Sequence, residues 1–577
     1  MTGSGRLPIL EKILNKAPHI ALIAYVGAIY WAFTIFRPEM CEHTRISEHA
    51  LMGGVVNEKF DQEGVYAEVL HGLQNKKDKR EFLLDRLTNY GVYAYEQRWK
   101  TTVGVLNASG VNVWGTTRGF RGPSAESILL IVNQNDAQAT ALLVALAGYF
   151  RSQLHWSRDI FFLLSDGGVL GVEAFLNAFH LTSSKSLAFD ALQERGDYLL
   201  ATLSFKTNVG QKSNEMELYL NQLNGALPNL DYVNTIVRIS GLGRFRMPTV
   251  LYDLRDSNKG QDIPWWIIPA RALFTQAFVS VEDLHSLSAK YGTSGVMLGL
   301  PLKTQSSVRK SAKLIEATVR SLNNMLERFH QSFFIYVLAD EDNFVSIAFF
   351  MPILGGVIAP LLIFAYREWV YSIEALEIPS IIWVVHSIGI LTWTASSHFF
   401  GDEQALVPGD ETPWIILLGT LLIPLALFWK VPPTAISSLR FVLLLEAALA
   451  FGLVSLVNFG LALLTALPSV PLLILFTRPQ NDRPRYRQGF RLMFSFLTHP
   501  LALYIFWNVY VSPMLMMEGL DAANLQLFDV VYPIKKIVSS NLLVGCNLFP
   551  LLTVVAIPIW NLLVSLSLPV DSIGSGS

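Results

Sequence analysis

Cysteine is almost absent: Cys41 and Cys546 are the two in 577 residues, far apart and in unlike surroundings. No disulfide framework and no cysteine zinc site can be built from such a pair. A bond from Cys41 to a partner chain and an idle thiol are the uses left open. Charge is also scarce. Asp, Glu, Lys and Arg make up 16% of the chain and the net charge is −2, so no basic field exists to gather nucleic acid. The histidines of the segment 37–344 form neither an H-E-x-x-H nor an i, i+4 pair on a helix, which gives no support to metal binding. What the chain has instead is apolar surface. Hydrophobic residues are 51% of it, with a mean hydropathy of +0.38.

That apolar content is unevenly spread. "HIALIAYVGAIYWAFTIF" (19–36) approaches the roughly 20 residues of helix that cross a bilayer. It follows Arg6, Lys12 and Lys16 and lacks a small-x-small cleavage site, so it reads as a retained signal anchor with residues 1–18 cytosolic. From 37 to 344 no stretch spans a bilayer, which leaves one large luminal domain. Beyond it, spans are expected near 345–366, 378–397, 413–428, 441–457, 459–476, 492–512 and 541–567, before a short cytosolic tail, 568–577. The stretch 441–476 reads as one tilted span or two. Two spans turning near Asn458 keep the loop carrying Arg478, Arg483, Arg485, Arg487 and Arg491 in the cytosol, where basic loops stay. The acidic loop with Asp402, Glu403, Asp410 and Glu411 is then luminal, and about eight membrane helices result. Lys535 and Lys536 run against that assignment. The sequon Asn107-Ala-Ser109 is usable for glycosylation if the large domain is luminal.

Inside 37–344 the patterns alternate. "VYAYEQRW", "VNVWGT", "ESILLIVNQ" and "RDIFFLLS" read as strands, the last of the kind buried on both faces. "REFLLDRLTNYG", "AQATALLVALAGYFRSQ" and "LGVEAFLNAFH" read as helices, and "KKDKR" (76–80) as a solvated loop between two helices. Such alternation argues an α/β domain, a mixed sheet flanked by helices, joined to a polytopic α-helical membrane domain.

"SDGGVLG" (165–171) opens the last of these helices. It resembles the Glu-Glu-x-Gly-Leu-x-Gly motif of zinc aminopeptidases of the M28 type at both glycines and at Val169. The resemblance implies a zinc-aminopeptidase-like fold, but it sets Ser165 where the general base belongs and Asp166 where a ligand does. A serine hydroxyl cannot accept and return a proton near neutral pH. "NDAQATALLVALA" matches the family's Asp-x-x-Ser-Gly segment with Asn135 at the bridging acid, and the strand before it offers Asn133 and Gln134 with no His. Two cations about 3.5–4 Å apart need bridging anions, which amides do not provide. Asp166 with an unassigned His such as His285 makes a poor site. Asp136 and Glu173 could replace lost ligands, although helix-start or surface carboxylates are the plainer reading. The expectation is a fold without metals, cofactor or catalytic residues of its own. Within the membrane half, Glu446 reads as near-interface and paired with Arg440. Asn458, Asn541 and Asn547 offer amides for capping, lipid headgroups or neighbouring helices.

A single anchor, a peptidase-like luminal domain stripped of its ligands and a multi-span C-terminal half together resemble the glycosylphosphatidylinositol (GPI) anchor attachment family, subunits of the GPI transamidase complex of the endoplasmic reticulum. "RISEHALM", "NQLNGALPNLDYVN" and "LERFHQSFFIYVLADEDNFVSIAFFMP" carry that resemblance. It implies a non-protease subunit that recruits or positions the GPI lipid and the substrate protein, beside a separate cysteine-protease-like catalytic subunit. It also suggests lipid contact by the last spans, with Asn541 and Asn547 as candidates. Two other readings stay open: an enzyme in its own right, either an amide-forming transferase or a residual zinc metallopeptidase, and a transporter. The membrane half shows neither the paired charges nor the inverted repeat that transporters carry.

Overall fold

The computed structural model describes residues 14–51, 60–76, 78–101, 108–120, 122–208, 215–251, 264–278, 283–330, 332–372, 380–401, 415–420, 436–477, 493, 497–506 and 532–567. The described residues of 33–349 form one compact unit, and those of 14–32 and 350–567 form a second.

The first unit is built on a nine-stranded mixed sheet. In chain order its strands are β2 (Tyr93–Thr101), β3 (Ser109–Thr117), β4 (Glu126–Asn133), β5 (Asp159–Ser165), β6 (Leu187–Phe189), β7 (Tyr198–Thr207), β8 (Met216–Tyr219), β9 (Thr249–Leu251) and β10 (Ser294–Leu300). Across the sheet the order is β6-β2-β3-β5-β4-β7-β10-β8-β9. The central strands β5, β4, β7 and β10 are parallel, and β3 and β8 run antiparallel on either side of them. A separate small sheet pairs β1 (Glu42–His43), β12 (Asn343–Ser346) and β11 (Tyr336–Leu338). Every residue of β5 is buried, as its unbroken apolar run requires of a strand covered on both faces.

Helices α2 (Glu63–Asn75), α3 (Lys79–Asn89), α4 (Ala137–Ser152), α5 (Val169–His180), α6 (Leu230–Gly241), α7 (Ile267–Phe278) and α8 (Gln305–Asn323) complete this unit. The spacing of α4 predicts one apolar face, yet it is buried on every side from Ala139 to Ala147. It touches the sheet at β4, β5 and β7 and is covered by α2, α3 and α8, so no face meets water. Lys79 and Arg80 open α3 rather than extend a loop, because the Asp78 carboxylate accepts the Arg80 and Glu81 amides. Arg158, nearly fully buried, is paired with Glu126 at 2.6 Å and donates to the Leu322 and Asn323 carbonyls, closing the C-terminal end of α8.

The second unit is helical. Its long helices are α1 (Ala17–Ile35), α9 (Ile347–Ser372), α10 (Ile381–Gly401), α11 (Ile436–Val457), α12 (Phe459–Thr477) and α15 (Leu548–Leu566); α13 (Pro500–Phe506) and α14 (Tyr532–Val544) are shorter. Among the described residues five of these (α1, α9, α11, α12 and α15) are long and apolar enough to cross a membrane. The stretch 441–476 is two helices that pack on each other, broken at Asn458, whose side chain accepts the Leu461 amide at 2.9 Å. The span expected over 541–567 is interrupted. Asn541 lies in the last turn of α14, Gly545 turns the chain at φ +81°, and α15 starts afresh with a π-helical turn at Leu551–Ala556. The span expected at 413–428 falls largely outside the described residues, and that expected at 492–512 is described at 493 and 497–506, where α13 lies.

Candidate functional site

Parallel strands gather their carboxyl ends on one edge, and in open α/β sheets ligands bind there, where the chain order reverses. Here β4 ends at Asn133, directly beside Ser165 at the end of β5, and Thr207 ends β7 on the other side of β4. The next residues along, Asn135, Asp166 and Asn208, belong to the loops that would surround a substrate.

The turn after β5 needs its glycines. Gly167 and Gly168 have φ of +72° and +62°, where a Cβ is strained, and the turn lets the Ser165 hydroxyl donate to the Gly168 carbonyl at 2.6 Å. A Cβ on Gly171 would sit within 2.5 Å of the Ser165 Oγ and the Asn112 Oδ1, so α5 can approach the strand ends only with glycine there. Asp166 uses one carboxylate oxygen to accept the Val111 amide at 2.9 Å. Its own amide donates to Asn112, a fully buried residue whose Nδ2 donates in turn to Gln97 and to the Gly171 carbonyl. Gln134 reaches back over the same strand ends, donating to the Val111 and Leu164 carbonyls. Asn133 accepts the Asn135 amide, and Asn135 is exposed.

The two remaining acids are placed differently. Asp136 caps α4 through the Ala139 amide and also accepts the Thr207 amide and hydroxyl at 2.7 and 2.6 Å. Glu173, read from sequence as surface or helix-start, is buried at 1% exposure and holds Lys290 at 2.5 Å and Asn177 at 2.9 Å. Its partner Lys290 comes from a segment over 100 residues away, which no local pattern reveals. His285 is fully buried. Burial, and to a lesser degree Lys206, push its imidazole down to about 4 against the opposing effects of Asp283 and the Asn221 backbone. The structure therefore joins Ser165, Asp166 and Asn133 at one edge, ties Asn135 to Asn133 and gives Asp166 and His285 no partner in common.

This donor set does not fit a pair of zinc ions. Asp166 at the strand ends accepts a backbone amide, Asp136 uses both oxygens at Ala139 and Thr207, and their neighbours are amides and hydroxyls. Among the described residues no three His, Cys, Asp or Glu side chains group as metal ligands. Asn112 completes the network and was not singled out from sequence; Gln134 was named beside Asn133 only as standing where no His does. The signal for Asn112 was a polar amide inside the apolar strand run "VNVWGT".

Elsewhere, Cys41 is a free, half-buried thiol raised to about 11 by burial and by Asp340 and Glu39. Asn541 donates to the Cys546 carbonyl at 2.8 Å and accepts a long hydrogen bond from Trp393, while Asn547 is exposed at the start of α15. The sequon residue Asn107 lies outside the described residues. Glu446 corrects its expected pairing. It bonds His386 on α10 at 2.8 Å, and Arg440 faces Glu368 on α9 at 3.9 Å. The membrane half therefore does contain paired charges, hidden from sequence because each partner lies on another helix.

Among proteins of known description, the chain is 27% identical to the GPI transamidase component gaa1 of Schizosaccharomyces pombe, over 81% of this chain and 82% of that one. It is 26% identical to the GPI transamidase component GAA1 of Saccharomyces cerevisiae, over 80% and 76%. Solved structures with partial likeness include one described as a Zn-dependent exopeptidase from Bacteroides vulgatus, at 14% identity, covering 48% of this chain and 100% of that one with a TM-score of 0.29. A glutaminyl cyclase from an Acidobacteriales bacterium matches at 13% identity, covering 47% and 98% with a TM-score of 0.32. The family model described as "Gaa1-like, GPI transamidase component" matches residues 109–564. The chain belongs to the Gaa1-like family of GPI transamidase components.

Proposed function

We propose that this GPI transamidase component is a non-protease subunit that positions the GPI lipid, and the protein to be anchored, for a catalytic subunit of cysteine-protease type. The observation that carries the reading is the chemistry of the strand-end edge. The Ser165 hydroxyl donates to a backbone carbonyl, one Asp166 oxygen accepts a backbone amide, and Asp136 spends both oxygens on Ala139 and Thr207, which leaves these groups poor bases and ligands. A protein that binds lipid chains in a helical unit and the polar head group beside a sheet-bearing unit speeds amide formation by holding the amine near the acyl group. Proximity of this kind is worth several orders of magnitude without proton transfer. In this reading residues 1–18 and 568–577 are cytosolic and 19–36 is an anchor. Residues 37–344 lie in the lumen of the endoplasmic reticulum, and 345–567 form the membrane domain.

The test is transamidation by the assembled complex carrying Asp166→Asn together with Ser165→Ala in this chain. Both side chains are replaced without adding bulk, and an asparagine oxygen can still accept the Val111 amide. Activity is expected to stay within about twofold of the unaltered complex, since no step of the chemistry passes through them. A loss of about 100-fold with the complex still assembled, or stoichiometric zinc that disappears with Asp166→Asn, would instead mark an active centre.

A further inference from the structure

The small sheet stands between the end of α1 and the start of α9. β1 begins at Glu42, seven residues past Ile35, and Ile347 opens α9 directly after Ser346 closes β12. Residues 33–35 of α1 and 347–349 of α9 belong to the sheet-bearing unit. β12 pairs antiparallel with β1 on one side, Phe344 against Glu42, and with β11 on the other, Ser346 against Tyr336. One residue past that last pair, Ile335 stands beside Ile347, the first residue of α9. The far end of the sheet is the turn between β11 and β12. It carries Asp340, Glu341 and Asp342, and the Thr44 amide donates there to the Asp342 carbonyl at 2.7 Å. At about 3.3 Å per residue, Asp340 lies about 13 Å further along the strand than Tyr336, away from α9.

The residues before β11 are apolar and open. Phe333, Phe334 and Ile335 are exposed at 36, 44 and 39%. Among the described residues of this unit, large apolar side chains exposed to this degree otherwise occur singly along the chain, as they do on any protein surface. Three in succession make a patch, and its position is held at both ends. The Phe333 carbonyl accepts the Leu230 amide at 2.9 Å, and the Phe333 ring packs on Phe344 with centroids 5.4 Å apart. The Tyr336 hydroxyl donates to the Pro228 carbonyl at 3.1 Å. Met40, just before β1, and Phe349, in the first turn of α9, are exposed at the same end of the sheet.

Apolar surface facing water is unfavourable in proportion to its area, and it is favourable where hydrocarbon begins. α9 is long and apolar enough to cross a bilayer, so the boundary between head groups and acyl chains falls near its first turn. The pairing of Tyr336 with Ser346 brings 333–335 to that level, although Ile335 is twelve residues from Ile347 along the chain. The acidic turn at the opposite end suits water, and an anionic lipid face would repel it, which keeps the sheet standing on its apolar end. We propose that Phe333, Phe334 and Ile335 dip into the bilayer beside α9 as an interfacial contact, with phospholipid as their partner. The contact rests on α9 entering a membrane and on no step of the positioning role above.

Spin labelling of the full chain in phosphatidylcholine nanodiscs tests it. Cys41→Ser and Cys546→Ser remove the native thiols, and a serine hydroxyl can still donate to the Ile35 and Arg37 carbonyls that Cys41 contacts. A nitroxide is then attached through Phe334→Cys, Ile335→Cys or Glu341→Cys, all exposed positions. Collisions with oxygen, which concentrates in hydrocarbon, and with a water-soluble nickel chelate give the depth of each label. The oxygen-to-nickel ratio at 334 and 335 is expected to exceed that at 341 several-fold, as for side chains about 5–10 Å into the boundary between head groups and acyl chains. Ratios equal to that at 341 would place the patch in water and overturn the assignment. Shielding from both reagents would mean that protein, such as a second copy of the chain, covers the patch, and would overturn it equally. Phe333 is left in place because its ring packs on Phe344, and the two separately labelled positions keep the result readable if one variant melts early.

Discussion

Asn112 shows how a single buried side chain can settle what an edge of sheet is for. Both of its amide protons and its oxygen are used, and they tie β3 to β2, to α5 and to the Asp166 amide. Deleting such a group leaves several buried partners unpaired at about 1–3 kcal/mol each, so the network acts as packing that happens to be polar. His285 gives a measurable consequence of a different buried group. Its imidazole titrates near 4 in the folded protein against 6.5 in the unfolded chain, because burial disfavours the charged ring. Between those two values the unfolded state binds one more proton than the folded state. Its contribution is therefore complete above about 6.5 and is lost as pH falls towards about 4, at about 1.4 kcal/mol per pH unit. Urea midpoints followed by hydrogen exchange in β7 and β10 should fall over that window, and more gently in His285→Leu. Equal slopes in both proteins would show that His285 does not carry the effect. Legibility at this scale divides along local and non-local lines. The glycine turn after β5 was readable because a motif is a local spacing. The Glu173–Lys290 and Arg158–Glu126 pairs were not, since each joins segments that only the fold brings together.

Elements that obey one period were readable, and those shaped by neighbours were less so. The run of β5 announced a strand buried on both faces, and Asn458 announced the break between α11 and α12 by supplying a capping oxygen where the apolar run falters. The all-round burial of α4 depends on α2, α3 and α8, and the interruption before α15 depends on the left-handed Gly545, so neither follows from apolar content. Glu446 is the sharpest case. Read as about a turn and a half inside a span starting at 441, it suggested a near-interface acid, but α11 begins at Ile436, so Glu446 lies near its middle and there links α11 to His386 on α10 at 2.8 Å. Hydrogen bonds between membrane helices contribute about 0.6–2 kcal/mol. Glu446→Gln, which can still accept from or donate to the ring, should leave the detergent melting midpoint close to that of the unaltered chain. Glu446→Leu should lower it by a few degrees and should be partly rescued by His386→Leu. A Leu variant as stable as the Gln variant would remove the pair from the account of how these helices associate.

For the whole molecule the open quantity is which side of the membrane each loop faces, and the helical unit bears on it through two observations. α11 and α12 pack on each other across the break at Asn458, and if both cross the membrane an even number of crossings separates Arg440 from Arg478. The approach of Arg440 to Glu368 sets the start of α11 level with the end of α9, as expected if both lie at one face of the bilayer. Together with the excess of arginine between 478 and 491, this favours a cytosolic face for those ends and for that loop, and a luminal face for the acidic loop around Glu403. Both loops lie outside the described residues, so chemistry must place them. In a chain with Cys41 and Cys546 replaced by serine, Arg485→Cys should react with a membrane-impermeant maleimide added to sealed microsomes. Glu403→Cys should react only after the membrane is permeabilised. If 441–476 crossed once despite its break, the two loops would share the luminal face and neither position would react before permeabilisation, whereas the reverse pattern would invert the whole membrane half. Reaction of both positions in sealed vesicles would put both loops in the cytosol, which with α11 and α12 each crossing requires that 413–428 does not cross.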